Sequence, residues 1–144
     1  MRKIVYTRPD GGLSVVHPVR NTRGETLTTD AQIEQRAWDK LPAEAINPRW
    51  ADAAEIPADR SLRNAWKDAG DKVAHDMGKA REITKARLRL ERAPLLDALD
   101  VEFMRALEEG KPTADIVTQK QALRDVTNQA DVAQNIESLK ALKA

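Results

Sequence analysis

The chain contains no cysteine. A disulfide framework and thiolate metal sites are therefore excluded. Long apolar runs are also missing. No stretch approaches the ~20 residues that a membrane-spanning helix needs. The N-terminus, Met1-Arg2-Lys3-Ile4-Val5-Tyr6, has no apolar segment of signal-peptide length, so no leader is expected. Aromatics are scarce, with three Trp, one Tyr and one Phe in 144 residues. Neither sign of charge is in excess, because Lys plus Arg number 24 and Asp plus Glu 23. The overall basic surplus of a nucleic-acid-binding chain is absent.

What is present supports folding. Hydrophobic residues make up 41% and charged residues 33%, and apolar positions recur along the whole chain. The length suits one compact domain, or a small domain followed by a helical arm. The two ends differ in character. Tyr6, Trp38, Trp50 and Trp66 precede residue 70, as do five of the seven prolines. Helix formers dominate afterwards. The expected fold class is α+β, with a mixed β-hairpin and helix module at 1–75 and a helical arm at 76–144.

Local signals place the elements. Ile4–Thr7 and Leu13–Val16 are short β-prone runs around Arg8-Pro9-Asp10-Gly11-Gly12, which predicts a hairpin. Two strands are marginal alone, so a third strand or a cover is required. Thr29 and Gln32 have capping-box spacing before Ile33, Ala37 and Leu41, with Pro42 closing that helix. A short strand is expected around residues 50–53, a helical turn from Asp59 to Trp66, and an extended stretch at Val73–His75. Asp76 is positioned to cap a long helix from Met77 towards Glu109, with Leu88, Leu95, Leu99, Phe103 and Ala106 as its buried stripe. Pro94 predicts a kink or a division into two helices. Lys79 to Arg92 holds six basic and two acidic residues, and Asp97 to Glu109 five acidic and one basic. In a single helix that order opposes the macrodipole, which favours a break. Thr113 is expected to cap a third helix carrying Ile116, Leu123 and Val126. An interruption at Asn128–Asp131 then precedes a last helix with Val132, Ile136, Leu139 and Leu142.

Catalytic patterns are lacking. His17 and His75 have no second histidine at ligand spacing, and there is no HExxH, Gly-rich phosphate loop or GxSxG. Asp97/Asp100 and Glu108/Glu109 read as solvated helix ends rather than as an acid/base pair. Arg81, Lys85, Arg89 and Arg92 fall on one helix side. No aromatic is interleaved among them for base stacking, so a solvated or salt-bridged seam outweighs a phosphate-binding face. The tryptophans read as core packing before a ligand pocket. A hairpin of short helices buries little area by itself. The arm is expected to dock on the N-terminal module, self-associate or lie against a partner.

Two stretches carry a resemblance. KIVYTRPDGGLSVVHP (3–18) with EIPADRSLRNAWK (55–67), and DMGKAREITKARLRLERAPLLDALDVEFMRALEEG (76–110) with QKQALRDVT (119–127), resemble a family of small proteins encoded in tailed-phage and prophage structural gene clusters. Leu62 stands where relatives often have an aromatic, and the chain ends Leu-Lys-Ala-Leu-Lys-Ala instead of with a Trp-Pro-like tail. The resemblance implies a non-enzymatic virion protein of the tail region or head surface, made in the host bacterial cytoplasm. The residues themselves lead us to expect no cofactor, no metal and no membrane. The chain's partners would be other virion proteins and further copies of itself. An assembly chaperone for tail or fibre proteins is the alternative, and a nucleic-acid-binding accessory protein a third reading. Candidate interface residues are Arg81, Lys85, Arg89, Asp97, Glu102 and Leu139, because the basic and acidic halves of 79–109 could pair between copies.

Overall fold

The computed structural model describes residues 1–22 and 25–144. They divide into two compact units, Met1–Asp76 and Met77–Ala144. The class is α+β, as the sequence led us to expect. No helix among the described residues is long and apolar enough to cross a membrane.

The first unit is built on the hairpin. Strands β1 (Lys3–Thr7) and β2 (Leu13–Val16) are antiparallel, with Ile4 opposite Val16 and Thr7 opposite Leu13. The Arg8 amide donates to the Gly12 carbonyl at 2.8 Å, and the Gly11 amide to the Arg8 carbonyl at 2.9 Å. Gly11 has φ 77°, the left-handed position of a turn closed by a bulge, which suits a residue without Cβ. Two short strands, β3 (Asn21–Thr22) and β4 (Glu25–Thr26), pair next. Helix α1 (Asp30–Asp39) begins with the expected capping box, in which the Thr29 hydroxyl and the Gln32 side chain satisfy each other's backbone amides.

The third strand is β5 (Ile46–Ala51), which lies on the other side of β1, giving the order β2-β1-β5. It starts earlier and ends earlier than the strand expected near 50–53, because residues 53–55 form a 3₁₀ turn. The β1–β5 register slips between Val5 and Thr7. Asn47 takes φ 49° there, a conformation Asn tolerates. Pro48 next to it is acceptable because β5 is an edge strand. Strand alternation puts Ile4 and Trp50 on the face that α1 covers with Ile33, which is 1% exposed. Val5, Leu13 and Ala51 on the opposite face pack with Trp66 and Val73.

The helical turn expected from Asp59 to Trp66 is corrected. Asp59 accepts from the Ser61 amide at 2.8 Å in a local turn. A 3₁₀ turn covers only Arg63–Ala65, and Trp66 opens strand β6 (Trp66–Asp68). That strand pairs with β7 (Val73–His75), which is extended as expected. Gly70, at φ 91°, turns the chain between them. Burial of Trp66 under the sheet outweighs its local helical context.

The second unit centres on α2 (Met77–Glu108), a single helix of 32 residues that runs through Pro94. Of the two outcomes expected at Pro94, the division into two helices is absent, for a physical reason. Pro94 and Leu90, whose carbonyl loses its amide partner, are both exposed, so water can satisfy that carbonyl. Helices α3 (Ala114–Asp125), α4 (Asn128–Val132) and α5 (Ile136–Ala141) all pack on α2. Its buried positions are Ala80, Thr84, Leu88, Leu99 and Ala106. Leu95, expected in that stripe, is 44% exposed. The Thr84 hydroxyl is buried and donates to the Ala80 carbonyl at 2.9 Å, the usual way a helix hides a hydroxyl.

Three further readings are corrected in this unit. Thr113 sits at the N-cap of α3 but its side chain makes no capping bond. Asn128–Asp131, read as an interruption, lies within α4. Val132 ends α4 and is 71% exposed, and Leu142 lies beyond α5. The last helix is capped instead by Asn135, whose side chain accepts from the Ser138 amide at 2.8 Å.

Candidate interaction surface

The packed side of α2 consumes most of its basic stripe. The Arg81 guanidinium donates to the Ala133 carbonyl at 3.0 Å, just after α4. Arg92 donates to the Leu123 and Arg124 carbonyls at 3.3 and 2.7 Å, at the end of α3. Arg87 donates to the Leu139 and Leu142 carbonyls at 3.3 and 2.8 Å, at the end of α5. Each helix packed on α2 thus has carbonyls at or just past its C-terminal end held by an arginine from α2. This supplies donors to carbonyls at helix ends, although that of Leu139 also accepts from the Leu142 amide, and places positive charge at the negative dipole end.

Lys85 is also committed, to Asp131 at 2.6 Å and Glu82 at 3.2 Å. The hydrogen bond to Asp131, then that to Glu82, holds its ammonium above the ordinary lysine range. Arg87 pairs with Glu91 at 2.6 Å and holds that carboxyl below its ordinary range. Lys120 bridges α3 to Asp100 at 2.5 Å, with its ammonium 5.1 Å from the Phe103 ring centre.

The six candidate residues therefore do not share one environment. Arg81 and Lys85 are held within the unit. Leu139 is fully buried in its core and does not face outward. Arg89, Asp97 and Glu102 are exposed. Glu102 borders an apolar hollow between α2 and α3 lined by Leu95, Leu99 and Leu123. Asp97 lies on the other side of α2, among residues the sequence reading had not singled out. Leu90, Asp97, Val101 and Met104 follow seven, four and three residues apart, so they line one helix face. That face is opposite Leu88, Leu99 and Ala106. Leu90 is 78% exposed, Met104 55% and Val101 51%. A helix whose two opposite sides are both apolar normally has both sides covered. The missed signal was present in the sequence, but Pro94 made the two halves look like separate helices.

The remaining sequence candidates are structural or peripheral. Trp38 and Trp50 stack at 5.3 Å between centroids, joining α1 to β5. Arg2 lies 4.7 Å over Trp50 and pairs with Glu34 at 2.7 Å. His17 is exposed, and desolvation, then the charges of Lys3 and Arg60, hold its pKa below the ordinary value. His75 ends β7. No family model, curated protein or solved structure matches the chain.

Proposed function

We propose that the protein is a non-enzymatic virion component of a tailed phage, at the tail or head surface, working through protein–protein contacts. The observation that carries this reading is the exposed apolar face Leu90–Val101–Met104 on α2. Exposed apolar side chains that share one helix face, here interrupted by Asp97, are the kind of surface that a partner covers. The resemblance to phage structural-cluster proteins supplies the setting and the class of partner, other virion proteins or further copies.

Purified particles from a phage carrying the gene test the reading. The chain should be present by mass spectrometry at a fixed ratio to the major structural proteins. Leu90→Glu with Met104→Glu should fold normally and fail to be incorporated. Abundance in lysates with absence from particles would overturn the virion role.

The same open apolar face also favours a second reading, an assembly chaperone that is lost on maturation. Co-purification with an unfinished tail or fibre protein, but not with particles, would select it.

A further inference from the structure

We infer that the first unit holds an oxyanion-binding pocket, for a phosphate or carboxylate group, between β2 and the Arg60–Trp66 segment. The inference is independent of the α2 face. A cavity of about 270 Å³ there is lined by Arg8, Arg60 and Arg63, with Tyr6, Ser14 and Trp66 among the other contributors, and by no carboxylate.

The three arginines are not equivalent. Arg8 is pre-positioned. Its Nη1 donates to the Leu13 carbonyl at 3.1 Å and to Ser14 Oγ at 3.2 Å, while Nε pairs with Asp10 at 3.2 Å. Arg60 and Arg63, three residues apart around a tight turn, make no side-chain hydrogen bond or ion pair among the described residues. Against the three guanidiniums of the lining stands the Asp10 carboxylate paired with Arg8, so the lining carries an excess of positive charge; after desolvation and Lys3, the Arg60 charge also disfavours protonation of His17.

The second observation is at Trp66. This residue is 4% exposed and lines the cavity. Its indole Nε1–H is buried with no acceptor among the described residues. A buried donor without a partner is costly; this one is closed to solvent, so an anion oxygen seated among the guanidiniums would accept from it only after a small shift of the lining. A neighbouring cavity of about 250 Å³ shares Val15, Arg60 and Trp66 and adds Lys3 and His17. The cationic lining thus extends along the sheet. Planar guanidiniums bind phosphate and carboxylate oxygens in pairs, which is why the ligand is assigned by this shared chemistry.

The test uses the full ¹⁵N-labelled chain at constant ionic strength. The Trp66 indole N–H resonance, assigned by its loss in Trp66→Phe, is followed during titration with sodium phosphate, with succinate, and with sodium chloride as control. A saturable shift with phosphate alone assigns a phosphate site, with succinate alone a carboxylate site, and with both a general oxyanion site. Arg60→Gln/Arg63→Gln changes exposed side chains, so the fold should persist, checked by unchanged β1 amide resonances. Affinity in this variant should fall by about tenfold or more. Calorimetric titration of the unmodified chain gives a second readout if Trp66→Phe does not fold. Failure of both anions to give saturable binding, or undiminished affinity in the double arginine variant, would overturn the pocket.

Discussion

Arg49 is the residue with the most to lose. It makes a two-pronged contact with Asp68, at 2.9 Å from Nη2 and 3.0 Å from Nε, and a 2.7 Å contact with Glu55. It thereby ties β5 to the β6–β7 hairpin and to the 3₁₀ turn. The Asp68 carboxyl is held below its ordinary range, first by the Arg49 hydrogen bond and also by the Gly70 amide. Glu55 is lowered too, first by the Asp52 amide and then by Arg49. A carboxyl whose folded pKa is depressed stabilises the fold fully above its unfolded value. That contribution is lost as pH falls through the folded value. Arg49→Met should cost about 2 kcal/mol near neutral pH. Denaturant unfolding followed by Trp fluorescence should show the parent losing stability more steeply than the variant below about pH 4. Equal slopes would show that the ion pairs contribute nothing. Gly11→Ala places a Cβ at a left-handed φ and should cost about 1–2 kcal/mol in the same assay.

At the scale of elements, α2 is both the spine of its unit and the source of the clips that hold the other helices. Pro94 weakens it without gaining a packing contact, since the ring is exposed. Pro94→Ala should restore one backbone hydrogen bond and raise stability by about 1–3 kcal/mol, seen as a higher Tm. A lower Tm would mean that the helix depends on the local geometry proline imposes. Arg92→Ala should instead destabilise by about 1–2 kcal/mol, because the carbonyls ending α3 lose a charged donor. Hydrogen exchange should locate the loss at α3, with α5 amides unaffected. The reverse pattern is expected for Arg87→Ala, whose carbonyls belong to α5 and the residue just beyond it.

The whole molecule carries near-equal charges of both signs and a formal net charge of +1. Two of the four cations in the sequence's basic stripe are turned to main-chain carbonyls and a third to carboxylates within the second unit. Retention on double-stranded DNA should therefore be weak at physiological salt, and Arg81→Ala/Lys85→Ala/Arg89→Ala should change it little. Strong retention that falls steeply with salt and disappears in the triple variant would support the nucleic-acid reading. On the apolar side, Leu90→Glu/Met104→Glu should leave Tm close to the parent value, since both side chains are exposed, while removing any concentration-dependent association seen by sedimentation. A large drop in Tm would show that the face belongs to the unit's own core.

The sequence by itself determined the features that depend on neighbours a few residues away. The Arg8–Gly12 turn, the Thr29/Gln32 capping box, the extended 73–75 segment and the helical character after residue 76 are all set by local backbone preferences and short-range hydrogen bonds. Tertiary structure decided the rest. The slipped register of β5 depends on β1, about forty residues earlier. Trp66 became a strand residue because the sheet buries it. Helix α2 passes Pro94 because its exposed side leaves the orphan carbonyl to water while the opposite side is anchored by packing. Arg81, Arg87 and Arg92 found their acceptors about thirty to fifty residues further on, at carbonyls that exist as a pattern only once α3, α4 and α5 have formed. A linear sequence shows donors and apolar periodicity, but which side of a helix is covered is a property of what packs against it.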